Sequence, residues 1–135
     1  MPIRDDLVIP TGRAWAGPFW ALVGDQGQAV SLAGRKIHAQ VRPAVGAADV
    51  LYEWSTDEGN VVVSDVQVTY LDDAGTEHQV TTAAVSLMVP ARDSAAWRWT
   101  LGVYDVLVID PDNPDATYAI VEESAVRADR GVTDA

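Results

Sequence analysis

Two histidines, His38 and His78, are the first residues to test for chemistry, because imidazole is the usual general base and metal ligand near neutral pH. They stand alone on separate segments, each at a polar-facing or turn-adjacent position, and their spacing gives no ligand set for a metal. Serines are present, but none sits in a Gly-x-Ser-x-Gly turn or a serine–histidine–acid context. The run Asp110-Pro111-Asp112-Asn113-Pro114-Asp115 has the oxygen density that a hard cation favours. It lacks the glycine and distal glutamate of a calcium loop, so a turn between two strands is the expectation. Glu122 and Glu123 are adjacent, and adjacent positions on a strand point to opposite faces, so they do not converge for acid–base work. The expected answer is no catalytic residue, no cofactor and no metal: not an enzyme.

The elements that would position any site are more legible than the site. Residues 85–110 read as a strand, a short turn and a second strand. Val85, Leu87 and Val89 alternate with Ser86 and Met88, and Pro90 stops the ladder because it has no N–H to donate. Residues 91–96 can make one helical turn. Trp97, Trp99, Leu101 and Val103 then resume alternation, which predicts a strand over 97–109 with Trp97 and Trp99 in the core. Residues 35–42 alternate with Ile37, Ala39 and Val41 on one face. Val62, Val66, Val68 and Tyr70 share a face of the next long segment, with Ser64 as the exception. Asp72-Asp73-Ala74-Gly75 reads as a hairpin turn, and 78–89 as the returning strand. Residues 7–9, closed by Pro10, fit an edge strand, and 13–23 fit a strand interrupted at Gly17-Pro18. Residues 25–28 form a tight turn, 50–54 another strand, and 118–126 the last.

Seven to nine short strands with turn signals about every 8–12 residues predict an all-β, immunoglobulin-like antiparallel β-sandwich. The expected organisation is an N-terminal arm or edge-strand region at 1–23, a sandwich domain at 24–127 and a flexible tail at 128–135. The 135 residues suit one core, and the absence of cysteine excludes disulfides and thiolate chemistry. Twenty acidic residues against nine basic ones give a net charge of −11. That argues against nucleic acid and against anionic membranes, and for solubility or a positively charged partner. No segment has the ~20 apolar residues needed to span a bilayer, and residues 1–10 are not expected to act as a secretory signal.

Three segments carry a resemblance. Residues 27–43 (GQAVSLAGRKIHAQVRP), 59–65 (GNVVVSD) and 85–110 (VSLMVPARDSAAWRWTLGVYDVLVID) are similar to the strand-and-turn pattern of small immunoglobulin-like domains in phage tail, tail-fibre and baseplate gene sets. The ending AIVEESAVRAD is like the last strand of those domains, and the alanine- and valine-rich composition suits an actinobacteriophage. Residues 1–20 have no counterpart in that pattern, and the aromatic-x-aromatic-Asp of the family is half kept at Gly102-Val103-Tyr104-Asp105. The resemblance implies a non-enzymatic virion subunit made in a bacterial cytoplasm, a minor tail, tail-tip or fibre-associated protein, with a head decoration or connector role as the alternative. It implies other virion proteins as partners and a homo-oligomeric or multicopy arrangement. Trp15, Phe19, Trp20 and Trp54 are the expected interface residues, since aromatic anchors dominate docking energetics. Trp15 and Trp20 fit the core as well. A competing expectation is a host-surface glycan platform at Trp15, Trp20 or Trp54.

Overall fold

The computed structural model describes residues 2–24 and 27–131. The turn expected at 25–28 lies partly outside these, as do residues 132–135 of the expected tail. Among the described residues nine strands form two facing sheets, an all-β sandwich.

The alternation at 35–42 becomes β4 (Lys36–Arg42), with Ile37, Ala39 and Val41 buried. Strand β4 pairs antiparallel with β5 (Tyr52–Ser55) on one side and β8 (Leu101–Ile109) on the other. Strand β9 (Tyr118–Asp129) runs antiparallel to β8, and β1 (Leu7–Pro10) closes the sheet parallel to β9. The order is β1-β9-β8-β4-β5. Pro10 ends β1 on the outermost strand, where a missing N–H costs no ladder bond.

The second sheet is organised by a long hairpin, β6 (Val61–Leu71) and β7 (Glu77–Val89). Its turn has Gly75 at φ +79°, a left-handed position that favours glycine. The carboxylate of Asp72 accepts the N–H groups of Ala74 and Thr76 at 2.9 and 2.8 Å. The other edge of β7 takes β2 (Trp15–Ala16) and β3 (Trp20–Ala21), separated at Gly17-Pro18 as the sequence suggests.

Between the sheets lie Trp54, Tyr104, Ile9, Ile37, Val41, Val85, Leu87, Val89, Val106, Val108, Val121 and Val126, all essentially inaccessible. At roughly 1.5–3 kcal/mol for each large apolar side chain removed from water, this layer dominates the stability of the fold. Residues 2–23 contribute to it. Leu7, Ile9 and Trp20 are buried, so this region supplies edge strands to both sheets rather than a separate arm. At the other end β9 continues to Asp129, past the expected start of the tail.

One phase differs from expectation. The strand predicted over 97–109 begins at Leu101, and its inward residues are Gly102, Tyr104, Val106 and Val108. Leu101 is exposed and Val103 half-buried. A short helix, α1 (Ala91–Ala95), and an irregular stretch at 96–100 precede β8, so a period-two count begun at Trp97 does not carry through. A one-residue slip moves every side chain to the other face. Gly102 fixes the new phase, because a Cβ there would stand 2.6 Å from Val41 Cγ1 and 2.9 Å from the Arg42 carbonyl oxygen. Trp97 does reach the core, edge-on to Tyr52 at 5.1 Å, and half-buried Trp99 lies 4.5 Å from it.

Candidate functional site

The four aromatic residues expected at an interface do not share a surface. Trp54, on β5, is fully buried. Its Nε1 donates to the Met88 carbonyl at 3.0 Å, and Tyr52 meets it edge-on at 5.1 Å. Trp20 is also core, and its Nε1 donates to Asp5 Oδ2 at 2.7 Å. The register of β3 on β7 sets Trp20 opposite inward-facing Val85, which turns the indole into the sandwich. Trp15 is half-buried against the core and folds back over Gly17. Phe19 is exposed. Docking through Trp20 or Trp54, and a sugar platform built on either, are therefore corrected, because both rings are buried. Phe19 remains a surface aromatic.

Polar side chains gather on the outer face of the five-stranded sheet. His38, Gln40 and Arg42 point outward from β4, and Glu53 reaches across from β5. His38 Nε2 lies 3.3 Å from Glu53 Oε2, to which Gln40 Nε2 also donates at 2.8 Å. Hydrogen bonding from Gln40 first, and then from His38, holds the Glu53 carboxyl below its ordinary range. Arg42 donates to Gln40 Oε1 at 2.6 Å and to the carbonyls of Ala47 and Ala48 at 2.7 and 3.0 Å. His38, Gln40 and Arg42 border a shallow groove of about 420 Å³, with Val103, Leu107, Asp105 and Glu123 also lining it. Asp105 accepts the Glu123 N–H at 2.9 Å, beside an irregularity in the β8–β9 ladder where Glu123 takes φ +45°. Each polar group here is tied into the sheet, and the arrangement braces the loop at 43–48.

His78 stands elsewhere, on the hairpin, 2.7 Å from Asp72 Oδ2 and stacked on Tyr70 at 5.2 Å. In the loop after β8, Asp110 accepts the Asp112 N–H at 3.0 Å and pairs with Arg35 at 3.4 Å. Among the described residues no three histidine or carboxylate groups converge in a way that could hold a metal ion.

Residue-by-residue reading did not locate which sheet edge stands open. Among the described residues β6 pairs with β7 alone, leaving 11 residues, Val61–Leu71, open on the other side. Natural edge strands are blunted by lysine, proline, bulges or shortness. Strand β6 is long, lies in unbroken register with β7, and carries neither proline nor lysine. Its apolar set, Val62, Val66, Val68 and Tyr70, is half-buried and lies on the face opposite to the one that continues the core side of β7, where Val63, Asp65, Gln67, Thr69 and Leu71 are exposed. The register opposes those residues to Ser86, Thr82, Val80 and His78, whereas inward Val85 and Leu87 oppose Val63 and Val61. The sequence signal was present in an 11-residue β-branched run with a single charge, Asp65.

Set beside family models, curated proteins and solved structures, the chain finds no match.

Proposed function

We propose that this protein is a non-enzymatic structural subunit of a phage particle, a minor component of the tail, tail tip or fibre, acting by strand-edge docking against neighbouring virion proteins. The open 11-residue edge of β6 carries the docking part of this reading. An unpaired row of N–H and C=O groups is a ready template for another chain. The sandwich behind it supplies the rigid block that such a subunit needs. The strand order supports the family likeness. One sheet runs β3-β7-β6 and the other β9-β8-β4, the positions of B-E-D and G-F-C in immunoglobulin-like domains, with β1 added beside the last strand. The strand-and-turn resemblance of residues 27–43, 59–65 and 85–110 supports the phage context. The net charge of −11 keeps free copies apart before assembly.

The test is direct. Particles purified from a host producing the phage are analysed by mass spectrometry and by antibody labelling in the electron microscope. The protein is expected in stoichiometric amounts at the tail end. Its absence from washed particles defeats the reading.

A further inference from the structure

We propose that the β6 edge accepts an extended, positively charged strand from a different protein, rather than a second copy of this chain. The inference deepens the docking reading and rests on it, naming the chemistry of the partner.

The hairpin is charged with one sign. Residues 61–89 contain Asp65, Asp72, Asp73 and Glu77 and no lysine or arginine. Asp65 lies at the middle of the open strand and is exposed, as are Gln67, Thr69 and Leu71 on the same face. A strand laid beside β6 places alternate side chains along this row, and a lysine or arginine opposite Asp65 gains a cross-strand ion pair. On the other face it meets Val62, Val66 and Val68, which favour small or branched apolar residues. The matching sequence therefore carries a basic residue opposite Asp65 and aliphatic residues on the other face.

A second copy fits worse. Antiparallel self-pairing of β6 about its midpoint, Val66, sets the two Asp65 side chains diagonally across the same face. It also brings Asp72 and Asp73 of each copy toward Glu58 of the other. Like charges facing across strands are destabilising, and both copies carry −11 overall. Asp65 thus does for this edge what lysine does for others: it refuses its own kind, and its sign selects a basic partner.

The test uses the full chain and synthetic 11-residue peptides alternating valine with lysine, threonine or glutamate, matched in length to β6. Binding is followed by backbone amide shifts and by hydrogen exchange at residues 61–71. The lysine peptide is expected to bind at least about tenfold tighter than the threonine peptide at low salt, with the margin shrinking as salt screens it. New exchange protection is expected along β6. Asp65→Asn should remove most of the margin and Asp65→Lys should reverse the preference toward the glutamate peptide. Both changes lie on an exposed side chain, and unaltered shifts of the core residues report that each variant is folded. Equal binding of the threonine and lysine peptides overturns the inference while leaving edge docking intact. Protection at another edge, absence of binding by any peptide, or a dimer in sedimentation that Asp65→Lys abolishes, also overturns it. Absence of the protein from particles defeats the virion reading and leaves the peptide result standing.

Discussion

Strand β7 is continuous over 13 residues, yet its two halves have different surroundings. Residues 82–87 are buried on both faces. Trp20 and Ala21 pair with Val85 and Ala84 along their outer edge, and Ser86 Oγ donates to the Gly17 carbonyl at 3.0 Å. Residues 77–79 and 81 are exposed, with β6 as their one strand neighbour among the described residues. Both halves are equally regular in hydrogen bonding to β6. They differ in what lies on the second edge and on the faces. One half is held by the sandwich, and the other projects as a two-stranded ribbon, a form only marginally stable by itself. Stability and availability for docking are thus divided along one strand.

The largest expected effect comes from cutting the anchor of the buried half. Trp54→Ala empties a fully inaccessible site and removes the donor to the Met88 carbonyl. A loss of about 3–5 kcal/mol is expected for such a truncation, measured by urea unfolding. Phe19→Ala, at an exposed ring, is expected to stay within about 0.5 kcal/mol. Equal losses at the two sites would dissolve the distinction between core and surface aromatics.

At the boundary between the halves, Thr82 Oγ1 accepts the Val30 N–H at 2.8 Å and donates to the Leu22 carbonyl. Thr82 is buried, so Thr82→Val leaves both backbone groups without this partner. The expected cost is about 1–3 kcal/mol for burying unsatisfied polar groups. Hydrogen exchange at Val30 and Ala83 should rise more than exchange in β4. A neutral outcome would mean that the buried half does not depend on residues 22–30 for its cover.

How much of this was legible follows from the same physics. The alternation at 35–42 predicted β4 because strands flank it on both edges and nothing interrupts the period. The hairpin at 72–75 was legible because asparate-rich turns with glycine have a local cause. The phase of β8 was not, because residues 96–100 break the period and the constraint at Gly102 comes from Val41, sixty-one positions earlier in the chain. The valine and tyrosine face of β6 was visible as a pattern. Which side of the sheet held the core was not, since an edge strand takes its polarity from tertiary placement. The aromatic interface was misread at Trp20 and Trp54 for a related reason: composition marks aromatic residues as anchors without saying whether the socket is internal.

A third prediction concerns alkali. Tyr52 donates to Asp93 Oδ2 at 2.7 Å and receives a hydrogen bond from Asn60 Nδ2 at 3.3 Å, tying α1 to the start of β6. Burial, and then the hydrogen bond to Asp93, push its phenol up from 10.0 to about 12. The folded protein therefore favours the neutral phenol. This contribution to stability is whole below pH 10.0 and is lost as pH rises through about 12. Tyr52→Phe should flatten the stability loss in that window and delete a phenolate absorbance step near its upper end. An unchanged profile would place the alkaline sensitivity elsewhere, with buried Tyr104, whose phenol is also pushed up by burial, as the next residue to replace.

The smallest effect belongs to the ribbon tip. Asp72 is held by hydrogen bonds from His78 first and from the Thr76 and Ala74 amides, and its carboxyl titrates below the ordinary 3.8. The folded-state pKa is depressed, so the tip gains from this carboxylate above the unfolded value. The gain is lost as pH falls through the lowered one. Asp72→Ala should speed amide exchange at residues 74–79 while leaving exchange in residues 82–89 unchanged. Such a separation is what local opening of a ribbon predicts, since a segment with few buried contacts can fray without unfolding the core. If the variant instead accelerates exchange along the whole of β7, the two halves open as one unit. The projecting ribbon would then be coupled to the core, and docking along β6 would have to be read as a perturbation of the entire sandwich.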